Sequence, residues 1–340
     1  MLRATSTPLV ETYDLVMLDL DGVVYVGDAP VPGAPDHLRR AREAGAHLAF
    51  VTNNASRPPA AVAEKLAGLG VEAHEEDVVT SAQAAARVLL ERHGAGARVA
   101  VLGTHGLLEA LRAEGLEPVG VDDEAAVALA TGYGPDVVWR DVMRAATRVR
   151  QGLPWVASNA DLSLPTPFGE APGHGVMVDL ISRFAGVEPV VAGKPERPLL
   201  DETVRRVGGS TPLMVGDRLD TDIEGAHRAG VDSLLVLTGV TGLEDLLAAD
   251  PKHRPAYLSS DLAGLFGSHP APEEDDGAWS CGGWRVRVTD GRLAASGGGD
   301  VDDWWRCVAA AAWSHRDATG RPADSTDLRV PSADGAQGLG

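Results

Sequence analysis

Short apolar runs recur along this chain, each ending in a polar loop and followed by residues at helical spacing. The first spans residues 16–24, where Val16, Met17 and Leu18 lead into Asp19-Leu20-Asp21-Gly22, an apolar strand that ends in two carboxylates and a glycine. Residues 27–33 are turn-rich, 34–43 have helical spacing with Gly45 as a stop, and 47–51 form a second apolar strand ending in Thr52-Asn53-Asn54. Residues 58–69 predict a helix with proline in its first turn, where the missing N–H costs little. Strand, loop and helix in alternation predict βαβ units and a parallel sheet, whose ligands sit outside the carboxyl ends of the strands. Asp19 and Thr52 both fall at such ends.

The rhythm continues. Ser81 is placed to cap a helix running to Arg92. Residues 98–102, 126–130 and 155–158 read as strands, and 106–114, 139–150 and 175–185 as helices, enough for a separate α/β module. Residues 190–191 then lead into Gly193-Lys194-Pro195 and a helix over 198–207. A strand over 212–215 ends in Gly216-Asp217 and a polar run to Asp222, followed by a helix over 223–229 and a strand over 233–237.

Past Gly267 the composition changes. Residues 270–276 read as a proline- and acid-rich linker, and five of the seven tryptophans lie beyond it, at Trp279, Trp284, Trp304, Trp305 and Trp313. Trp284, Val286 and Val288 alternate with arginines, with Asp290-Gly291 as a hairpin turn, and residues 301–313 fit a helix. From Thr319 onward the chain is polar and reads as disordered. A piece of about fifty ordered residues is marginal alone, so it is expected to dock on the rest.

Composition narrows the function. The 340-residue chain is 44% hydrophobic and 23% charged, ordinary for a soluble protein of two or three domains. Its net charge of −19 argues against nucleic acid or an anionic membrane as partner, but not against a small anionic substrate in a cleft of reversed field. Residues 1–14 have no apolar core segment and no run approaches the roughly 20 residues of a membrane span, so a cytoplasmic protein is expected. Cys281 and Cys307 are the only cysteines and read as free thiols rather than a zinc site. Homo-oligomerisation is left open.

Four strand-end loops carry the candidate chemistry: Asp19-x-Asp21, Thr52-Asn53-Asn54, Lys194, and Asp217 through Asp222. Cleaving a phosphate ester calls for a nucleophilic carboxylate, a second acid to move protons, a divalent cation and fixed donors against the phosphate charge. Asp19 can serve as nucleophile, Asp21 as acid and base, Asp217 as metal ligand, and Thr52 and Lys194 as phosphate donors. Each loop alone is ordinary turn or cap chemistry. Lys194 stands out because the chain has three lysines, Lys65, Lys194 and Lys252, and otherwise uses arginine.

In this order, Asp19-Leu-Asp-Gly-Val, Val51-Thr-Asn-Asn-Ala-Ser, Gly193-Lys-Pro and Val215-Gly-Asp-Arg-Leu-Asp-Thr-Asp resemble the four motifs of the haloacid dehalogenase-like phosphatases over about residues 13–266. The long gap between the second and third motifs is similar to the α/β cap of the class IIA members. The resemblance implies a Rossmann-like α/β core over residues 1–82 and 188–267, an inserted cap over 83–187, and a small α+β extension over 268–340. It implies Mg²⁺ held by the Asp19 carboxylate, the Asp21 backbone carbonyl and Asp217, with Asp222 in support. It also implies phosphate binding by Thr52, Asn53, Asn54 and Lys194. Asp77-Val-Val-Thr-Ser-Ala-Gln, Val236-Leu-Thr-Gly-Val and the tail are similar to the bacterial glycerol-3-phosphate phosphatase group, implying hydrolysis of that ester. Phosphoglycolate or a sugar phosphate is the alternative substrate, and a non-catalytic binding protein using the tail is the alternative class. His174, between two glycines, reads as a loop side chain satisfied locally or exposed, with a contact to substrate hydroxyls as the other reading.

Overall fold

A computed structural model describes residues 2–166 and 168–331. The chain forms two compact units, Met1–Leu48 with Thr211–Gly340, and Ala49–Ser210.

In the first unit, four parallel strands lie in the order Tyr257–Ser259, Asp232–Val236, Pro212–Gly216, Leu15–Leu18. Leu15 to Leu18 are all fully buried, as expected of a parallel strand covered on both faces. They pair in register with residues 212–215, so Leu18 lies opposite Val215 and the partner strand ends one residue later at Gly216. The helix Ala34–Glu43 follows the expected bounds. The helix after Asp217 begins differently: a π-helical turn over Leu219–Ile223 precedes Glu224–Ala229. Such turns often mark functional sites.

The tail belongs to this unit. Glu273–Asp275, Ala278–Cys281, Trp284–Thr289 and Arg292–Gly297 form an antiparallel meander. Asp290 and Gly291 both have positive φ, as a tight two-residue hairpin turn requires. The helix Val301–Thr319 lies against this sheet, and one apolar cluster joins Trp279, Trp304 and Trp313 to Leu235, Leu246 and Leu258. The tail therefore docks, as its length required. Three expectations need correction. The supposed linker contains the edge strand Glu273–Asp275. The helix runs six residues beyond Trp313, to a left-handed Gly320, and in that stretch Arg254 donates two 2.7 Å hydrogen bonds to Asp317. The chain after Thr319 is packed at least to Leu328, since Ala323 and Leu328 are buried in the same cluster; residues 332–340 of that stretch lie outside the described residues. Cys281 and Cys307 are free and buried, and burial pushes their thiols up to about 12 and about 11.

In the second unit, a five-stranded parallel sheet has the order Val190–Val191, Trp155–Ala157, Ala128–Thr131, Arg98–Leu102, Glu117–Val119. Helices Trp139–Arg150 and His174–Ala185 cover it through Val142, Ala145, Val178 and Ile181. The residues after Thr52 and the strand Val78–Thr80 belong here too, with Thr52 opposite Thr80. The edge strand Glu117–Val119 and the hairpin of Ser163–Thr166 with Gly169–Pro172 were not expected, because neither carries a period-2 apolar pattern. The helix at Ser81 is capped by Thr80 rather than Ser81: the Thr80 hydroxyl accepts the Gln83 N–H while Gln83 Oε1 accepts the Thr80 N–H. Among the described residues no helix is long and apolar enough to cross a membrane.

Candidate active site

Asp19 and Asp217 each directly follow one of two paired parallel strands, and the Asp19 N–H still donates to the Val215 carbonyl at 2.9 Å. That pairing sets the two carboxylates side by side. Asp222 joins them from the π-helical turn, and one carboxylate oxygen from each of Asp19, Asp217 and Asp222 lies within 4.8 Å of the other two. Asp217 and Asp222 are fully buried, and Asp19 is half-buried. Asp217 is held firmly: its Oδ2 accepts the Val240 N–H at 2.7 Å, and its carbonyl accepts the Thr241 hydroxyl at 2.5 Å. The Arg218 N–H donates to Asp222 Oδ2 at 3.1 Å. A Cβ on Gly22 or Gly239 would overlap the Asp217 carboxylate, and one on Gly216 would overlap Asp222, so glycine is required at all three positions.

Three carboxylates this close repel one another unless a cation lies among them. An all-oxygen donor set with buried members fits a hard divalent ion such as Mg²⁺. Asp21 stands apart from this group. It is exposed, and the turn after it is closed by the Gly22 N–H on the Tyr25 carbonyl at 2.8 Å and the Thr238 hydroxyl on the Gly22 carbonyl at 2.5 Å. An exposed carboxyl on a braced turn can exchange protons with a substrate or with water.

The second unit holds the expected phosphate donors. Thr52 closes its strand, and its Oγ1 accepts the Asn54 N–H at 3.1 Å, which turns the hydroxyl proton toward another acceptor. Asn54 is used locally, its Oδ1 accepting the Ser56 N–H and hydroxyl at 2.8 and 2.7 Å. Asn53 is used over long range. Its Nδ2 donates to Asp161 Oδ1 and to the Lys194 carbonyl, both at 3.0 Å, and its Oδ1 accepts the Lys194 N–H at 2.8 Å. Lys194 is 2% exposed, a rare position for a lysine and one suited to a fixed point charge. A Cβ on Gly193 would come within 2.7 Å of Asn53 Oδ1, so the residue before Lys194 must be glycine.

Sequence reasoning overlooked Asn159 and Asp161. The Asn159 Nδ2 donates to the Asn53 carbonyl at 2.7 Å, and its Oδ1 accepts the Asp161 N–H at 3.2 Å. Both lie more than a hundred residues from Asn53, so no local signal could have found them. His174 is not a loop side chain: it is the buried first residue of the helix His174–Ala185. Its Nδ1 donates to the Asn159 carbonyl at 2.9 Å, which leaves Nε2 as a buried acceptor. Burial pushes its pKa down to about 4, against the smaller upward effect of the Asn159 bond.

A haloacid dehalogenase-like hydrolase family profile matches residues 16–117, and a HAD-hydrolase-like profile matches residues 191–265. Across 323 residues the chain is 41% identical to D-glycerol 3-phosphate phosphatase of Mycobacterium tuberculosis, covering 91% of this chain and 88% of that protein. The chain belongs to the haloacid dehalogenase-like hydrolase family. Its fold agrees: the crystal structure of the Mycobacterium tuberculosis glycerol phosphate phosphatase in complex with magnesium superposes with a TM-score of 0.84 at 40% identity, over 93% of this chain and 94% of that one. The 4-nitrophenylphosphatase of Thermotoga maritima superposes at 0.70 with 30% identity, over 76% of this chain and 97% of its own. An acid sugar phosphatase of Staphylococcus saprophyticus is 35% identical over 74% of this chain and 96% of its own length. About a quarter of this haloacid dehalogenase-like hydrolase thus has no counterpart in the shorter relatives.

Proposed function

We propose that this hydrolase is a Mg²⁺-dependent phosphomonoesterase whose substrate is glycerol 3-phosphate. The observation that carries the reading is the convergence of Asp19, Asp217 and Asp222 beside the exposed Asp21, in a chain of this family. Asp19 Oδ attacks phosphorus and forms an aspartyl-phosphate, while the ester oxygen leaves as an alkoxide and takes the Asp21 proton. Asp21, now a carboxylate, removes a proton from water, which attacks the acyl phosphate and restores Asp19 with release of inorganic phosphate. Asp19, the Asp21 carbonyl and Asp217 would hold Mg²⁺, with Asp222 in support, and the ion would supply charge neutralisation at the phosphate. Thr52 and Lys194 bind phosphate through side chains. Asn53, whose amide is bonded to Asp161 and Lys194, shapes the loop that receives it, and Asn54, whose Oδ1 is bonded to Ser56, completes the phosphate-binding set.

Residues 83–187 act as the specificity-setting cap on a core formed by 1–82 and 188–267, and 268–340 serves as a stabilising extension. The glycerol 3-phosphate assignment is supported by the Mycobacterium tuberculosis relative, which matches 91% of this chain. A sugar phosphate is the second reading, favoured by the acid sugar phosphatase match over the shorter span. The two buried free thiols suit a reducing, cytoplasmic setting. Nitrophenyl phosphate hydrolysis with and without Mg²⁺ tests the activity, and Asp19→Asn is expected to abolish it in a folded protein. Substantial turnover by that variant would overturn the reading. Comparing kcat/KM for glycerol 3-phosphate, phosphoglycolate and sugar phosphates ranks the substrates.

A further inference from the structure

Both ends of the Asn53 side-chain amide are bonded, and the partners define its orientation. The nitrogen faces two oxygens, Asp161 Oδ1 and the Lys194 carbonyl, and the oxygen faces the Lys194 N–H. The pair of bonds to Lys194 clamps that residue's backbone from both sides, as a neighbouring strand would. The Asn53 carbonyl is equally committed, accepting the Ser81 hydroxyl at 2.6 Å and the Asn159 amide at 2.7 Å. Three loops distant in sequence therefore meet at one side chain: the loop after Thr52, the Gly193-Lys194 loop, and the segment at 159–161 that enters the 163–172 hairpin. Gly193 permits the approach, since a Cβ there would press on Asn53 Oδ1 and on the Ser158 carbonyl.

A lysine ammonium sits at the end of a flexible four-carbon stem, so its usefulness to a phosphate depends on where its backbone is held. A misplacement of about 1 Å at a reacting site can cost on the order of a hundredfold in rate. From this geometry we infer that Asn53 is a positioning residue: it contributes no phosphate contact through its side chain, but sets the place of Lys194 and ties it to Asp161 in the inserted segment. The inference rests on the phosphatase reading above, in which Lys194 binds phosphate.

The test is a donor–acceptor exchange across the 53–161 bond, measured on the full chain with Mg²⁺. In Asn53→Asp the nitrogen donor becomes a carboxylate oxygen facing the Asp161 carboxylate and the Lys194 carbonyl. KM for glycerol 3-phosphate and Ki for inorganic phosphate are expected to rise at least about tenfold, the size of effect typical for lost positioning. In Asp161→Asn the introduced amide oxygen still accepts from Asn53, so a smaller effect is expected. In the double variant the amide introduced at position 161 donates to the carboxylate introduced at position 53, so the part of the loss that came from the 53–161 bond returns, while the part from the carboxylate facing the Lys194 carbonyl remains. A general loss of stability would not be reversed by the second substitution, so recovery of Ki separates positioning from simple damage. Strictly additive effects, or an unchanged Ki in Asn53→Asp, would overturn the inference. If the unaltered protein neither hydrolyses the ester nor is inhibited by phosphate, the phosphatase reading fails instead. If it does both while the variants behave alike, the role of Asn53 alone is refuted.

Discussion

The carboxylate of Asp217 occupies the space that a side chain on Gly22 would need. Gly22 also has φ +83°, a backbone conformation that a Cβ strains. The turn that carries Asp21 and the loop that carries Asp217 are therefore pressed together through a bare Cα. In Gly22→Ala, Asp217 must rotate or its loop must retreat, and the carboxylate group loosens. Mg²⁺ affinity is expected to fall roughly 10–100-fold, the range seen when groups supporting a metal ligand are disturbed. The Mg²⁺ dependence of phosphatase activity measures this, and an unchanged activation curve would refute it.

His174 gives stability a pH dependence of definite sign. Its pKa lies near 6.5 in an unfolded chain and is pushed down to about 4 by burial. Between these values the unfolded chain binds a proton that the folded chain refuses, so stability falls as pH drops through that window and recovers as pH rises. The full difference is on the order of 3 kcal/mol. Urea unfolding of the protein and of His174→Asn across pH 4–7 should show a shallower slope in the variant, whose amide can still donate to the Asn159 carbonyl. Equal slopes in the two proteins would mean that His174 is not buried neutral.

The tail is tied to the first unit by more than apolar contact. The Trp313 indole N–H donates to the Leu246 carbonyl at 2.8 Å, and the Arg254 guanidinium that pairs with Asp317 lies 5.3 Å from the Trp313 ring centroid. Trp304 is 1% exposed and meets Trp305 edge to face at 4.9 Å. Trp304→Ala is expected to cost about 3–5 kcal/mol, as for other fully buried large aromatics, with a lowered Tm. KM of the protein that remains folded should not change. A stable variant with impaired catalysis would instead assign the tail a part in the reaction.

Local pattern carried the sequence reading a long way. The helices Ala34–Glu43, Trp139–Arg150 and Pro198–Val207 match their expected bounds, because apolar spacing, proline starts and glycine stops act within a few residues. Asp19, Thr52 and Asp217 were legible as candidates because alternation of strand and helix announces a parallel sheet, whose loops emerge at one set of strand ends, and each of the three does close or follow such a strand. Lys194 follows Val190–Val191 of the five-stranded sheet and was singled out by the rarity of lysine instead. Where the pattern was silent, the reading failed. Ser163–Thr166 shows no alternation and forms a strand only through its hairpin partner. Residues 314–319 lack an apolar stripe and remain helical with Asp317 bound to Arg254, 63 positions away.

The work done by Asn53 has the same origin. Sequence placed it beside Thr52 and so among the phosphate ligands, but its amide bonds Asp161 and Lys194, 108 and 141 positions distant. Periodicity records which face of an element is buried. Hydrogen bonds between loops depend on which loops meet, and that follows from how the elements pack together.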